Sequence, residues 1–214
     1  MNQAMILHKL AVGPLQVNCY VVICTATRKT MVVDPGDDAD RILALIGDDD
    51  AVECIVNTHG HFDHIGANRG LVEATTARLM IHRDDAGLYR SAQQHAELFG
   101  LTTTPSPEAD RLLEDGETID VGKLTFEVLH VPGHSPGGIC LYGHGHLFAG
   151  DALFAGSIGR TDLPGGDHGL LVAGIRERLF GLPDGTLVHP GHGPDTTIGQ
   201  EKRSNPFVGD PAWR

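Results

Sequence analysis

The chain has no apolar run approaching the roughly eighteen residues that a membrane-spanning helix needs. It also lacks a basic start followed by an apolar core and a small-residue cleavage site. No secretory signal is therefore expected in residues 1–10, and a cytoplasmic location is the default. Basic residues are scarce: 16 lysines and arginines stand against 28 acidic residues, for a formal net charge of -12. A field of that sign repels phosphate backbones and anionic lipids at long range. Nucleic acid and membrane surfaces are thus not expected as partners. The four cysteines, Cys19, Cys24, Cys54 and Cys140, form no C-x-x-C pair, and reduced, buried thiols are the expectation.

What remains is ordinary globular material, long enough at 214 residues for one domain with a sizeable core. Strand patterns run over 4–12 and 17–24, joined across Gly13-Pro14, and then over 29–33, 52–56 and 78–81. They resume at 118–121, 124–130, 138–142, 146–149 and 186–189. Helical periodicity appears near 39–46, 65–74, 84–98 and 170–180. The acidic stretch 48–50 reads as a solvated turn, and 100–110, with its threonines and prolines, as a loop. No internal repeat, low-complexity tract or linker divides the chain, so a single α/β domain over residues 1–214 is expected. Two sheets layered between helices would cover every apolar face; periodicity by itself does not choose that layering.

The densest chemistry is His59-Gly60-His61-Phe62-Asp63-His64, directly after an apolar strand. In an extended segment side chains two apart share a side, so His59 and His61 can grip one ion together. Asp63 and His64 follow where the chain would turn into a helix, which aims them at a neighbouring position. Imidazole and carboxylate at this density suit zinc, iron or manganese, and no nearby cysteine suggests a structural thiolate site. Such a spacing arises by chance in about one sequence of this kind in a few hundred. Three further strand ends each offer one ligand beside glycines: His134 in Pro132-Gly133-His134, Asp151 in Gly150-Asp151, and His192 in Pro190-Gly191-His192.

Together these residues resemble the metallo-β-lactamase superfamily, and within it the glyoxalase II (hydroxyacylglutathione hydrolase) branch. The resemblance covers nearly the whole chain, from Asn18-Cys19-Tyr20 through Thr58, His64, His134 and Asp151 to His192. Two more stretches, Gly156-Ser157-Ile158-Gly159-Arg160-Thr161-Asp162 and Glu201-Lys202-Arg203-Ser204-Asn205-Pro206-Phe207, are similar to short bacterial members of that branch. The resemblance implies an αββα sandwich and two divalent ions, zinc first, with iron or manganese as alternatives. It implies that His59, His61 and His134 hold one ion, that Asp63, His64 and His192 hold the other, and that Asp151 bridges them. Arg160 aligns with a basic residue used near the substrate's glycine carboxylate. Typical glyoxalase II enzymes carry a further C-terminal helical region that contacts glutathione, and this sequence stops at Arg214. A complete hydrolytic site is expected, without those glutathione contacts.

The implied reaction is hydrolysis of an acyl-thioester such as a 2-hydroxyacyl-glutathione. Two ions about 3.5 Å apart lower the pKa of a shared water, and the resulting hydroxide attacks the carbonyl while Asp63 orients it. Two alternatives come from the same superfamily. His59, His134 and Asp151 form the two-His, one-carboxylate set of a mononuclear iron site, as in the persulfide dioxygenases that Arg160-Thr161-Asp162 also resembles. Lactone and β-lactam hydrolases are the other alternative. Gly133-His134-Ser135-Pro136-Gly137 imitates a serine-hydrolase elbow, but Pro136 has no N–H for the oxyanion hole, so Ser135 is not expected as a nucleophile. Asp34, His130 and His189 lie where they could support the ligands, whereas His144 and His146 read as a solvated hairpin turn.

Overall fold

The computed structural model describes residues 4–210. Its first half forms one six-stranded sheet from β1 (Met5–Val12), β2 (Val17–Cys24), β3 (Lys29–Val33), β4 (Ala51–Val56), β5 (Arg78–His82) and β6 (Arg111–Leu113), in that spatial order. β1 to β3 pair antiparallel and β3 to β6 parallel. The parallel strands need crossovers, supplied by α1 (Ala39–Leu43), α2 (Phe62–Ile65), α3 (Asn68–Thr75), α4 (Ala86–Arg90) and α5 (Ala92–Leu98).

The second half builds another six-stranded sheet and a two-stranded ribbon. Its strands are β7 (Thr118–Val121), β8 (Leu124–His130), β9 (Ile139–Gly143), β10 (His146–Gly150), β13 (Leu187–Pro190) and β14 (Thr196–Thr197), ordered β14-β13-β10-β9-β8-β7; β11 (Leu153–Phe154) and β12 (Ser157–Ile158) form the ribbon. α6 (His168–Gly174) runs on as a wide-turn π-helical stretch, Ile175–Leu179, and α7 (Ile198–Ser204) lies near the end of the chain.

Period-two burial explains the layering. Every residue of β2 is buried, because the strand is covered on both faces. Tyr20, Val22 and Cys24 join Phe126, Val128 and Phe148 in a core between the sheets. The alternating Cys19, Val21 and Ile23 pack with Ile42, Leu71 and Leu79 under α1 to α5. On the far side Leu129, Leu147 and Val188 meet Leu171, Ile175 and Leu179. Each such side chain contributes about 1.5–3 kcal/mol relative to exposure. Edge-to-face contacts of Phe148 with Tyr20, at 5.3 Å, and with Phe126, at 6.0 Å, fix the inter-sheet packing. The product is the αββα sandwich.

Several elements depart from the sequence reading. The helix expected over 39–46 stops at Leu43, because Leu45 and Ile46 close tighter turns onto Ile42 and Leu43. The helical stretch 84–98 is broken at Ser91 into α4 and α5. β6, β11, β12, β14 and α7 were not anticipated. The acidic stretch 48–50 is not wholly solvated: Asp50 accepts from the Gly47 N–H at 2.8 Å and pairs with Arg28 at 2.8 Å. Among the described residues no helix is long and apolar enough to cross a membrane.

Candidate metal centre

Chain direction brings the ends of β4, β8, β10 and β13 together, and each delivers part of one site. His59 and His61 leave β4 in an extended segment and sit on one side of it, with ring centroids 4.8 Å apart. His134, from the loop after β8, faces both of them at 4.8 and 4.7 Å. Its Nε2 lies 2.9 Å from His61 Nδ1. Asp63 and His64 lie in α2 and meet His192, whose Nε2 is 3.5 Å from Asp63 Oδ2. Asp151, just past β10, stands between the two groups. Its carboxylate is 3.6 Å from His134 Nε2, 3.5 Å from His64 Nε2 and 3.6 Å from His192 Nε2. All seven residues singled out as ligands thus converge.

The spacing tests whether a metal fits. Separations of 3.5–3.6 Å are too long for good hydrogen bonds. Two donors bound at about 2.1 Å to one tetrahedral ion stand about 3.4 Å apart. Moreover His59 Nε2, His64 Nε2 and Asp151 Oδ1 are buried without a hydrogen-bond partner, in a setting where buried polar atoms are normally satisfied. The donor atoms of His59, His61 and His134, and those of Asp63, His64 and His192, each fall within 4.8 Å of one another. Imidazole and carboxylate in these numbers suit divalent ions.

Hydrogen bonds behind the rings select which nitrogen faces the site. Asp34 ends β3 in a left-handed turn (φ 50°) and accepts from the Thr58 N–H at 2.7 Å and the Thr58 hydroxyl at 2.6 Å. The Thr58 oxygen is thereby left to accept from His59 Nδ1, 3.1 Å away. His64 Nδ1 lies 3.0 Å from Asp34 Oδ2, His134 Nδ1 2.8 Å from the Arg160 carbonyl, and His192 Nδ1 3.1 Å from the Leu15 carbonyl. With Nδ1 donating, four rings turn Nε2 inward as lone-pair donors; His61 presents Nδ1. Gly191 has to be glycine, since a Cβ there would lie 2.2 Å from Asp151 Oδ1.

Burial pushes His59 well below the usual imidazole range and takes His61 down to about 3, each reinforced by neighbouring rings. Both are neutral donors at pH 7. Burial also disfavours charge on His64, but Asp151, Asp63 and Asp34 outweigh it and raise the imidazole to about 10. Burial likewise pushes the Asp63 carboxyl up, and His64 and His192 more than reverse it, leaving it below the carboxylate range. An ion binding at His64 therefore displaces a proton.

The other singled-out residues fall elsewhere. The Arg160 guanidinium is half exposed and forms a two-point pair with Asp162, both contacts at 2.8 Å, so only its carbonyl touches the ligand set. His189 binds Asp195 at 3.0 Å and His146 at 2.8 Å, and His130 binds the Pro136 carbonyl at 2.9 Å; neither bonds to any of the seven. His146 is thus tied down rather than solvated. His82, Asp84 and His130 also group their donors. The two rings there are stacked at 4.1 Å and tilted by only 15°, so their in-plane lone pairs cannot meet at one ion. Ser135 is fully buried and donates to Asp85 at 2.8 Å. Asp85 itself, missed in the sequence, accepts from the Gly60 N–H at 2.8 Å and the Gly137 N–H at 2.5 Å.

An αββα sandwich with histidine and aspartate clusters for divalent metal at its strand ends defines a class of metallo-hydrolase. The chain belongs to the metallo-β-lactamase superfamily, whose profile matches residues 12–192. It is 38% identical to hydroxyacylglutathione hydrolase GloC of Haemophilus influenzae (strain ATCC 51907 / DSM 11121 / KW20 / Rd), covering 93% of this chain and 96% of that protein. Two solved structures are similar throughout. BLEG-1 B3 metallo-β-lactamase superposes with a TM-score of 0.88 at 38% identity, over 95% of this chain and 99% of that one. TTHA1623 in a di-iron-bound form superposes with a TM-score of 0.86 at 43% identity, over 94% and 100%.

Proposed function

We propose that the chain is a dinuclear metal-dependent hydrolase of acyl-thioesters such as a 2-hydroxyacyl-glutathione, acting as a single domain over residues 1–214. His59, His61 and His134 hold one ion, Asp63, His64 and His192 hold the other, and Asp151 bridges them; zinc is the first candidate, and the di-iron form of TTHA1623 keeps iron in view. The observation that carries this reading is the position of Asp151, within 3.6 Å of nitrogens from both groups. Similarity to the Haemophilus hydroxyacylglutathione hydrolase supports the thioester.

When bound, the ions supply Lewis acidity and make a water acidic near neutral pH. The chain's own groups do the positioning. His192 and Asp63, with side chains 30% and 16% exposed, form the open side of the site, whereas His64 is closed off at 0%. Substrate therefore approaches over His192 and Asp63. Asp63 stays ionised and can accept a hydrogen bond from the attacking water, fixing its direction. A thiolate leaves readily, so no strong acid is required at the leaving group. Arg160, already paired with Asp162 through Nε and Nη2, can meet a substrate carboxylate on the rim through its remaining N–H donors.

Elemental analysis followed by thiol release from S-lactoylglutathione tests the reading. Two ions per chain and turnover abolished by Asp151→Asn are expected. One iron per chain, with oxygen uptake on a persulfide, would select the dioxygenase instead. A second reading, β-lactam hydrolysis, is favoured by the likeness to BLEG-1 over 95% of the chain. Turnover of a β-lactam or lactone without thioesterase activity would establish it.

A further inference from the structure

Asp85 is a buried carboxylate that the reaction does not use. It ends the single turn Arg83–Asp85 after β5 and is 0% exposed. Among the described residues no lysine or arginine pairs with it; its partners are three uncharged donors. Burying an ionised carboxylate without a cation is costly, so its position calls for a reason.

The donors supply one. The Gly60 N–H lies between His59 and His61, in the loop after β4. The Ser135 hydroxyl and the Gly137 N–H lie in the loop after β8, immediately beyond His134. One carboxylate thus ties together the two loops, one from each half of the chain, that present the three imidazoles. The loops approach so closely that a Cβ at Gly137 would sit 2.5 Å from the Asp85 backbone nitrogen. Oδ2 accepts from Gly60 and Ser135 together, so a shift of either loop is felt by the other. Ser135, which imitates a nucleophile in sequence, spends its proton here.

The Asp63, His64 and His192 group has anchors other than Asp85, of which it shares Asp34 with His59. α2 carries the first two, Asp34 fixes the His64 ring, and the Leu15 carbonyl fixes His192. Asn18 holds the His192 loop through the Pro190 and Gly193 carbonyls, both at 2.9 Å. None of these contacts passes through Asp85.

We propose that Asp85 is a positioning residue that sets the spacing of His59 and His61 against His134, and so governs the affinity of that ion selectively over the one at Asp63, His64 and His192. The proposal rests on the reading that His59, His61 and His134 hold a metal, and the experiment separates the two.

The test is competition with a graded chelator, read as ions retained per chain, for wild type, Asp85→Asn, Asp85→Ala and Ser135→Ala, with circular dichroism to verify folding. Wild type is expected to release its ions in two steps. In Asp85→Asn the step that His61→Ala abolishes moves to at least about 10-fold weaker chelator strength, the scale on which hydrogen-bond partners of ligands act, while the other stays in place; a shift of the other step alone overturns the proposal. Ser135→Ala, which keeps both backbone donors, moves the same step by less. Should Asp85→Ala fail to fold, the Asn and Ser135→Ala variants decide. Both steps moving equally, or neither moving, in folded Asp85→Asn overturns the proposal. A wild-type chain that binds no ion at His59, His61 and His134, tested by loss of a step in His61→Ala, overturns the underlying site assignment instead.

Discussion

The same burial that orders the imidazoles separates the four thiols. Burial pushes Cys54 and Cys140 up to about 12, and raises Cys19 well above its ordinary value. At Cys24 burial is outweighed by hydrogen bonds from Thr27 and the Lys123 N–H, and the thiol falls below 9.0. Cys24 is nevertheless buried like the other three, so all four thiols should resist alkylation in the native protein at pH 8.5 and react together on unfolding, which peptide mass spectrometry can read. For Cys54 and Cys140 the folded state keeps a proton that the unfolded chain gives up above about 9. Their contribution to stability is full below pH 9 and is lost as pH climbs toward 12. Urea midpoints should fall steadily from pH 9 upward; a midpoint that rises over that range contradicts the buried, protonated thiols. Asp34 carries a prediction of its own. Asp34→Ala strips support from His59, through Thr58, and from His64 at once. Metal affinity should drop about 10–100-fold, and isothermal titration that finds wild-type affinity would rule the role out.

At the scale of elements, the ligands are delivered by strand ends, and what holds those ends decides precision. The Asn18 amide in β2 reaches the loop after β13, the Asn18 N–H donates to the Gly191 carbonyl at 2.7 Å, and the Tyr20 hydroxyl donates to Pro190 at 2.7 Å. These contacts fasten the His192 loop to the opposite sheet. Asn18→Ala should cost about 1–3 kcal/mol in stability, from the carbonyls it leaves under-satisfied. It should also loosen His192, with thioester turnover falling more than the melting temperature alone explains. Side-by-side melts and rates of this variant and the wild type check both. Much of this site was legible beforehand, for a physical reason. His59 to His64 is one local segment whose period of two and helical turn act within six residues, and Gly150-Asp151 and Gly191-His192 follow apolar strands. Asp85 was not legible, because its partners are two backbone N–H groups and a serine, 25 to 52 residues away. Likewise β14 has two residues and no period to read; α7 after it spans only seven residues, too short for a clear helical period, although Thr197 caps it, accepting from the Gln200 N–H at 3.2 Å, and Lys202 and Arg203 lie in its last turn.

For the whole molecule, the sandwich and the metal centre are two separate sources of stability, and they can be told apart. Phe126 is fully buried between the sheets, edge-to-face with Phe148, with no contact to the seven ligands among its ring partners. Phe126→Ala should cost about 3–5 kcal/mol through a cavity the two sheets cannot close. For a chain of this size that is on the order of 10 °C in melting temperature. Metal acts by mass action, adding about 2.7 kcal/mol when free ion stands at 100 times its dissociation constant. The ligands come from four loops across both sheets, so ions bind the folded chain and not the unfolded one. If the loops are held by their own anchors, the two effects are independent and should add within a few tenths of a kcal/mol. Four melts decide it: wild type and Phe126→Ala, each with metal and with chelator. The increment from metal should be the same in both proteins, and smaller in Asp151→Asn. An increment that shrinks in Phe126→Ala would mean that the inter-sheet core, rather than Asp34, Asp85 and Asn18, keeps the ligand loops in register.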